Sequence, residues 1–193
     1  HQQHLRAGVD LLKVHQRLGV GGAEAVNALV LVADHKDIAA FLRQIGRQCI
    51  ISVNDHFHLR CALHHLFQDI YPFAGKFRDV NLSKGATVFC QFQFLDAYAD
   101  SLFNQLKIEG NWETGEIAAK RLAYFKAELN MLHPFREGNG RTIRIFLAAY
   151  VKEKGYMWRY ENMDTQVYLE AMIKSKHDES DLQKLLLTVL EPL

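Results

Sequence analysis

The chain of 193 residues is 49% hydrophobic and 23% charged, and a chain of this length buries enough apolar surface to fold without a disulfide or zinc staple. Its 23 basic and 22 acidic residues leave a net charge of +1, which excludes broad electrostatic binding to nucleic acid. Apolar stretches such as residues 28–33 are far too short to span a membrane. The odd number and wide spacing of Cys49, Cys61 and Cys90 indicate reduced thiols, and hence a cytoplasmic protein.

The N-terminal quarter of the chain predicts helices but carries no recognisable motif. Apolar residues repeat at helical spacing over residues 4–18 and 23–45, with a glycine-rich break between them. We interpret residues 1–50 as a helical extension of unknown role. Asp55 then predicts the start of a helix that runs to Phe67, because an Asp side chain accepts hydrogen bonds from the first N–H groups of a helix.

The next segment predicts a β-hairpin followed by more helices. Within residues 76–92, two short strand-like runs flank the turn Ser83-Lys84-Gly85-Ala86. Further helices are predicted over residues 93–107, 116–132, 141–154, 164–176 and 180–190. The centre of the helix over 141–154, residues 143–151, is apolar nearly all round, so this helix should be the buried central helix. The predicted fold class is all-α, with one small β-hairpin.

Residues 133–144, His-Pro-Phe-Arg-Glu-Gly-Asn-Gly-Arg-Thr-Ile-Arg, join two predicted helices through a tight turn. The unpaired N–H groups at the start of the second helix form an anion site. Gly138 and Gly140 let the main chain approach a phosphate closely. Arg141 and Arg144 lie three residues apart, so both guanidiniums can grip phosphate oxygens from one helix face.

Two further side chains of this segment add chemistry to the predicted phosphate site. Glu137 lies at the mouth of the turn, where a lone carboxylate beside phosphates is suited to binding Mg²⁺. His133 has an unperturbed pKa near 6.5, which suits a general base at neutral pH. A Gly-Asn-Gly turn alone is often only a connection, but this segment combines a phosphate site, a metal ligand and a base.

This segment resembles the signature of the Fic family of protein adenylyltransferases, His-x-Phe-x-Asp/Glu-Gly-Asn-Gly-Arg-x-x-Arg. Every fixed position is matched, by His133, Phe135, Glu137, Gly138, Asn139, Gly140, Arg141 and Arg144. The resemblance extends upstream over residues 66–78 and downstream over 182–190. It covers about residues 55–190, so residues 51–193 are interpreted as a Fic domain.

The resemblance implies protein AMP transfer on the Fic fold. ATP and Mg²⁺ would be used to place AMP on a Ser, Thr or Tyr hydroxyl of a target protein, with release of pyrophosphate. His133 would deprotonate the hydroxyl and Glu137 would bind Mg²⁺. Gly138, Asn139, Gly140 and Arg141 would wrap the phosphates, and Arg144 would hold the γ-phosphate.

The resemblance also implies that the hairpin is a flap, about residues 80–90, that docks the target protein by main-chain pairing. Lys84 matches a flap lysine that approaches the nucleotide. Asn130, one helical turn before His133, falls where the family lines the nucleotide pocket.

Three questions of function stay open at the level of sequence. The transferred group could instead be UMP, phosphate or phosphocholine, and a non-catalytic nucleotide- or partner-binding module is a further alternative. Delivery into another cell as an effector is an alternative to a cytoplasmic role. No complete inhibitory Ser/Thr-x-x-x-Glu-Gly/Asn segment is found, because Ser175-x-x-x-Glu179 is followed by Ser180. Three alternatives follow: an antitoxin-like protein supplies the inhibitory helix in trans, the inhibitory part has been removed, or the chain is unregulated.

A second group of potential ligands, His56, His58, Cys61, His64 and His65, shares one predicted helix. Four ligands from a single helix converge poorly on one tetrahedral zinc ion. We interpret this group as a solvated, histidine-rich helix face rather than a metal site.

Overall fold

A computed structural model describes residues 56–193 of the chain. The helices predicted over 4–18 and 23–45, and the Asp55 cap, lie outside these residues. The division into 1–50 and 51–193 therefore stays a prediction.

Within the described residues the chain is mostly helical, as predicted. The α-helices are α1 His56–Phe67, α2 Leu95–Ile108, α3 Gly115–Leu132, α4 Asn139–Glu153, α5 Thr165–Lys174 and α6 Ser180–Leu187. Thr114 caps α3, because its Oγ1 accepts a hydrogen bond from Ile117 N–H at 3.3 Å. No helix of residues 56–193 is long and apolar enough to cross a membrane.

The predicted hairpin is present but its ladder is short. Strand β1, Ser83–Lys84, pairs antiparallel with β2, Thr87–Val88. Ser83 and Lys84 were assigned to the turn and instead form the strand. The reason is that the two residues Gly85 and Ala86 suffice for the turn, with Gly85 at φ 57°, so that Lys84 already pairs with Thr87.

A second antiparallel pair was not predicted. Strand β3, Tyr156–Trp158, pairs with β4, Leu190–Pro192, in the register Trp158 opposite Leu190. The helix predicted to reach residue 190 ends earlier, at Leu187. Strands this short and this far apart in sequence carry no local periodicity, so only their tertiary pairing reveals them.

Helix α4 is the buried centre of the described fold, as predicted. Its residues Ile143, Leu147, Tyr150 and Val151 are fully buried, and it packs against α1, α3 and β3. Each large apolar side chain buried in this way stabilises the fold by about 1.5–3 kcal/mol. The N-terminus of α4 is therefore held in a fixed position, and the His133 segment is attached directly to it.

Candidate functional site

Helix α3 passes into α4 through residues 133–138, which we call the motif loop. His133 is the residue at which α3 ends, and its main chain is left-handed with φ 44°. It is the one non-glycine residue with positive φ in the described part of the chain. This conformation costs about 1–2 kcal/mol for an L-residue, and it turns the chain sharply out of α3.

The imidazole of His133 makes a hydrogen bond at one edge and a stacking contact on one face. Nδ1 lies 3.2 Å from the carbonyl oxygen of Asn130, and the ring stacks on Phe89 with centroids 3.7 Å apart. Because a carbonyl oxygen can only accept, Nδ1 carries the proton in this contact and Nε2 keeps its lone pair. The base predicted from the sequence is therefore fixed in the tautomer that can accept a proton at Nε2.

Burial lowers the pKa of His133 from 6.5 to about 4. The nearby cations of Arg78 and Lys84 act in the same direction, while the hydrogen bond to Asn130 opposes it. His133 is consequently neutral at pH 7, and its pKa lies below the unperturbed value that the sequence alone suggests.

Gly138 seats the motif loop on α1. Its φ is 79°, and an added Cβ would lie 2.5 Å from Phe67 Cε2 and 3.0 Å from Leu63 Cδ1. Both its conformation and its packing thus require glycine. At Gly140, by contrast, an added Cβ would meet no atom within 4 Å, so the main chain there faces open space.

The side chain of Asn139 closes the motif loop on itself. Its Oδ1 accepts from Phe135 N–H at 2.9 Å, and its Nδ2 donates to Phe135 O at 2.7 Å. These buried bonds occupy the side chain of Asn139, which the family resemblance placed in the turn that wraps the phosphates. What Asn139 retains for an anion is its main-chain N–H in the first turn of α4, where no helical acceptor exists.

Arg141 contains an unsatisfied donor. Its side chain is 21% exposed, its Cζ lies 4.8 Å from the centre of the Phe67 ring, and Glu137 Oε1 is 3.9 Å from its Nη2. Its Nη1 is buried and has no hydrogen-bond partner. Leaving such a donor unpaired costs about 1–3 kcal/mol, which an incoming anion would recover.

Arg144 lies one helical turn further along α4. Its Cζ lies 5.4 Å from the centre of the Tyr160 ring. The salt bridges within residues 56–193 do not include Arg144. Ser175 and Glu179 belong to the connection between α5 and α6, where Ser175 Oγ donates to Met172 O at 2.9 Å.

Glu137 lies at the mouth of the motif loop, as predicted. Its side chain is 57% exposed, and its Oε1 accepts from Gly138 N–H at 2.9 Å. Groups of three or more His, Cys, Asp or Glu that could hold a metal ion are absent from the part of the chain that the structure describes. A metal ion at Glu137 would therefore take most of its ligands from water and from a bound substrate.

The two remaining predicted residues flank His133. Lys84 is exposed on β1, close enough for its charge to lower the pKa of His133. Asn130 is half-buried, and its carbonyl oxygen accepts the contact from His133 Nδ1.

The sequence placed Phe89 in the flap without linking it to His133, and it assigned no role to Arg78, although both residues contact His133. Phe89 covers the imidazole, and Arg78 Nε donates to His133 O at 2.8 Å. No local signal distinguished Arg78, because its neighbours Lys76 and Asp79 are also charged and only the fold buries Arg78.

The histidine-rich face of α1 supports the segment before the flap. Arg60 Nε donates to Gly75 O at 2.8 Å, and His64 Nδ1 lies 3.3 Å from Ala74 O. His58 is buried, so the expectation of a solvated face is wrong for that residue. It lies on the inner side of α1, which periodicity did not distinguish.

The described residues thus form a helical domain in which a glycine turn joins a neutral histidine to a helix N-terminus that carries two arginines. The model of the Fic/DOC family matches residues 55–151, half of the chain. The chain belongs to the Fic/DOC family.

Relatives of the chain include two bacterial proteins named as adenylyltransferases. It is 37% identical over 124 residues to probable protein adenylyltransferase y4lH of Sinorhizobium fredii, covering 63% of this chain and 65% of that protein. It is 35% identical over 153 residues to protein adenylyltransferase VbhT of Bartonella schoenbuchensis, covering 77% of this chain and 32% of that protein. The chain thus spans less than two thirds of the length of either relative.

Solved structures share the fold at low identity. The N-terminal Fic domain of a Bartonella effector protein from Bartonella sp. AR 15-3 matches with a TM-score of 0.75 at 15% identity, over 91% of this chain and 86% of that one. The ADP-bound N-terminal Fic domain of a cell filamentation protein from Bartonella quintana matches with a TM-score of 0.74 at 19% identity, over 91% and 89%.

Proposed function

We propose that this chain transfers AMP from ATP to a hydroxyl group of another protein. In this reaction the hydroxyl oxygen bonds to the α-phosphorus, and the bond from that phosphorus to the bridging oxygen breaks. The electron pair leaves with pyrophosphate, and AMP remains on the target. The observation that carries the proposal is the neutral, fixed imidazole of His133 in the same loop that leads to the unsatisfied guanidinium of Arg141.

His133 is suited to removing the hydroxyl proton. Its Nδ1 proton is held by Asn130 O, which leaves Nε2 as the acceptor, and burial keeps the ring neutral at pH 7. Stacking on Phe89 fixes the plane of the ring. General bases placed in this way contribute about 10²–10⁴-fold to a rate.

The start of α4 is suited to binding the phosphates. The open main chain at Gly140, the first N–H groups of the helix and the buried Nη1 of Arg141 all offer donors. Arg144, one turn later, would extend this set to the γ-phosphate. Donors fixed before the substrate arrives stabilise developing charge without reorganisation, which is how such sites accelerate transfer.

The oxygen donors at this site fit Mg²⁺ if a bound nucleotide supplies further oxygen ligands to the same ion. Glu137 would be the protein ligand, because its carboxylate is more than half exposed at the mouth of the motif loop. When bound, Mg²⁺ would neutralise phosphate charge as pyrophosphate leaves.

The target protein would dock along the flap. Strands β1 and β2 are two residues each and largely exposed, so another extended chain can pair with their main-chain groups. Lys84 on β1 would face the nucleotide from that side. An antitoxin-like protein could inhibit in trans by placing a glutamate against Arg144, which would exclude the γ-phosphate.

The test uses the purified chain, a cell lysate and four labelled donors. ATP labelled on the α-phosphate, ATP labelled on the γ-phosphate, UTP and CDP-choline are incubated separately, and modified proteins are identified by mass spectrometry. We expect label from α-labelled ATP and the mass of one AMP residue on a Ser, Thr or Tyr. Label from another donor would assign a different transferred group. Binding of ATP without any transfer would indicate a nucleotide-binding module.

A further inference from the structure

Arg78 is 3% exposed, and its side chain serves no role in the proposed reaction. Within residues 56–193 its guanidinium donates to main-chain oxygens only. Nε donates to His133 O at 2.8 Å, and Nη1 donates to Val80 O at 2.6 Å. Nη2 donates to Cys90 O and, more weakly, to Leu132 O at 3.4 Å. The salt bridges within residues 56–193 do not involve this buried cation.

The four acceptors belong to three segments of the chain. Val80 precedes β1, Cys90 follows β2, and Leu132 and His133 end α3. The carbonyls at the end of a helix have no helical donors and carry the negative end of its dipole, so a guanidinium there satisfies them and is stabilised by them. We call the residues on either side of the β1–β2 ladder, Val80 and Cys90, the flap stems. One side chain therefore joins both flap stems to the end of α3.

Two main-chain hydrogen bonds connect the same segments as the guanidinium. Arg78 N–H donates to Pro134 O at 2.8 Å, and Cys90 N–H donates to Met131 O at 2.9 Å. These two bonds tie the same segments together but do not reach His133. The bond from Arg78 Nε is the one that restrains the His133 carbonyl directly.

Arg78 acts on His133 from two directions. The left-handed main chain of His133 directs its carbonyl toward Arg78 Nε, so this bond supports an otherwise unfavourable conformation. On the other side, Arg78 Nη2 holds Cys90, and the adjacent Phe89 stacks on the imidazole. Loss of the guanidinium would release the backbone of His133 and the ring that covers it together.

We propose that Arg78 is a positioning residue, whose five-donor guanidinium locks the flap stems to the end of α3 and thereby sets the orientation of His133. The kinetic consequence of this inference rests on the proposed AMP transfer, whereas the mechanical consequence does not. A lysine cannot replace Arg78 fully, because one ammonium cannot reach carbonyls in three segments at once.

The test compares two variants with a control arginine. Arg78→Met removes every donor at similar length, and Arg78→Lys keeps the charge. Arg121→Met is the control, because Arg121 also makes two half-buried hydrogen bonds, to Glu109 at 2.7 Å each, and lies over Tyr124 and Phe125 on α3 rather than against the flap or the motif loop. Amide hydrogen exchange, ATP–Mg²⁺ affinity by calorimetry and transfer from α-labelled ATP are measured for each.

We expect the amides of Cys90 and residue 78 to exchange at least about tenfold faster in Arg78→Met, with Arg78→Lys in between. Transfer at saturating ATP should fall about 10–100-fold, while the dissociation constant for ATP changes less than about twofold, because the donors of α4 are untouched. Amides in the middle of α4, such as that of Leu147, should keep their protection. If Arg78→Met does not fold, Arg78→Lys carries the same measurements.

Unchanged exchange at Cys90 in either folded variant would overturn the proposal. So would transfer within twofold of the parent chain, or an equal loss of transfer in Arg121→Met at a matched melting temperature, since that loss would reflect stability alone. If the parent chain transfers no group from ATP, the proposed function fails, and the exchange data still decide whether Arg78 holds the flap stems to α3.

Discussion

The motif loop and the flap both reach His133, yet they are built in opposite ways. In the motif loop, Phe135 is fully buried, Asn139 closes the turn with two side-chain bonds and Gly138 presses on α1. In the flap, Val88 is 67% exposed and the ladder holds only two residue pairs.

The difference matches two different demands. Phosphate binding benefits from donors that are already in place, because reorganising them would add to the barrier. An edge that receives another chain must leave its main-chain groups unpaired until that chain arrives. We therefore expect substitutions in the motif loop to be costly and those in the flap to be tolerated, apart from residues that anchor the flap.

The largest effect should come from the base. His133→Ala should lower AMP transfer about 10²–10⁴-fold and leave ATP binding nearly intact, because the imidazole handles the proton rather than the phosphates. Transfer from α-labelled ATP and calorimetry measure the two quantities. His177→Ala, at an exposed histidine between α5 and α6, is the control and should behave like the parent chain. Near-normal transfer by His133→Ala would refute the assignment.

Substitutions at one glycine of each region test how rigid the motif loop and the flap are. Gly138→Ala should destabilise the chain by roughly 2–4 kcal/mol. The alanine would have to adopt a left-handed conformation, and its Cβ would also lie only 2.5 Å from Phe67. Gly85→Ala in the flap also has positive φ but meets no atom within 4 Å, so we expect only about 1 kcal/mol. Denaturant unfolding gives both values. Equal losses would mean that the loop is not seated on α1 as described.

The next effect concerns the γ-phosphate. Arg144→Ala should weaken ATP binding about 10–100-fold, since a charge-assisted hydrogen bond contributes roughly 1.5–3 kcal/mol. AMP binding should change little, because AMP lacks the γ-phosphate. Arg159→Ala is the control, as Arg159 pairs with Glu191 on the surface. An equal loss of AMP affinity would show that Arg144 acts on another part of the nucleotide.

A smaller change is expected at the metal ligand. Glu137→Ala should raise the Mg²⁺ concentration needed for half-maximal transfer by about tenfold, because a single carboxylate supplements phosphate and water ligands. Titration of Mg²⁺ at fixed ATP measures it. Glu161→Ala, on the exposed turn after β3, is the control. An unchanged Mg²⁺ requirement would place the metal elsewhere.

The smallest effect concerns pH. Because burial lowers the pKa of His133 to about 4, transfer at saturating ATP should vary less than about twofold between about pH 7.5 and 5.5. A half-transition near pH 6.5 would contradict this.

The same pKa has a consequence for stability. Between pH 6.5 and about 4 the unfolded chain binds a proton that the folded chain does not, so the contribution of His133 to stability is present above pH 6.5 and is lost as pH falls to about 4. His133→Ala should therefore reduce the loss of unfolding free energy over this interval, measured by urea unfolding.

Patterns within a few residues were readable without a structure. Helical periodicity predicted α1 to α6 to within a few residues, and the apolar run over 143–151 identified α4 as the buried helix. The short β3–β4 pair was missed, because its partners lie more than thirty residues apart and each strand has only three residues.

By itself the sequence determined the chemistry that is available: a histidine, a carboxylate, glycines and two arginines at spacings that a helix N-terminus makes functional. Only the tertiary structure decided the pKa, the hydrogen-bond partners and the neighbours of these residues. It lowered the pKa of His133 by burial, assigned the Asn139 side chain to the loop itself and brought Arg78 to His133 across 55 positions of sequence. The physical reason is that spacing governs contacts within one helical turn, whereas burial and long-range hydrogen bonds depend on which segments the packed core brings together.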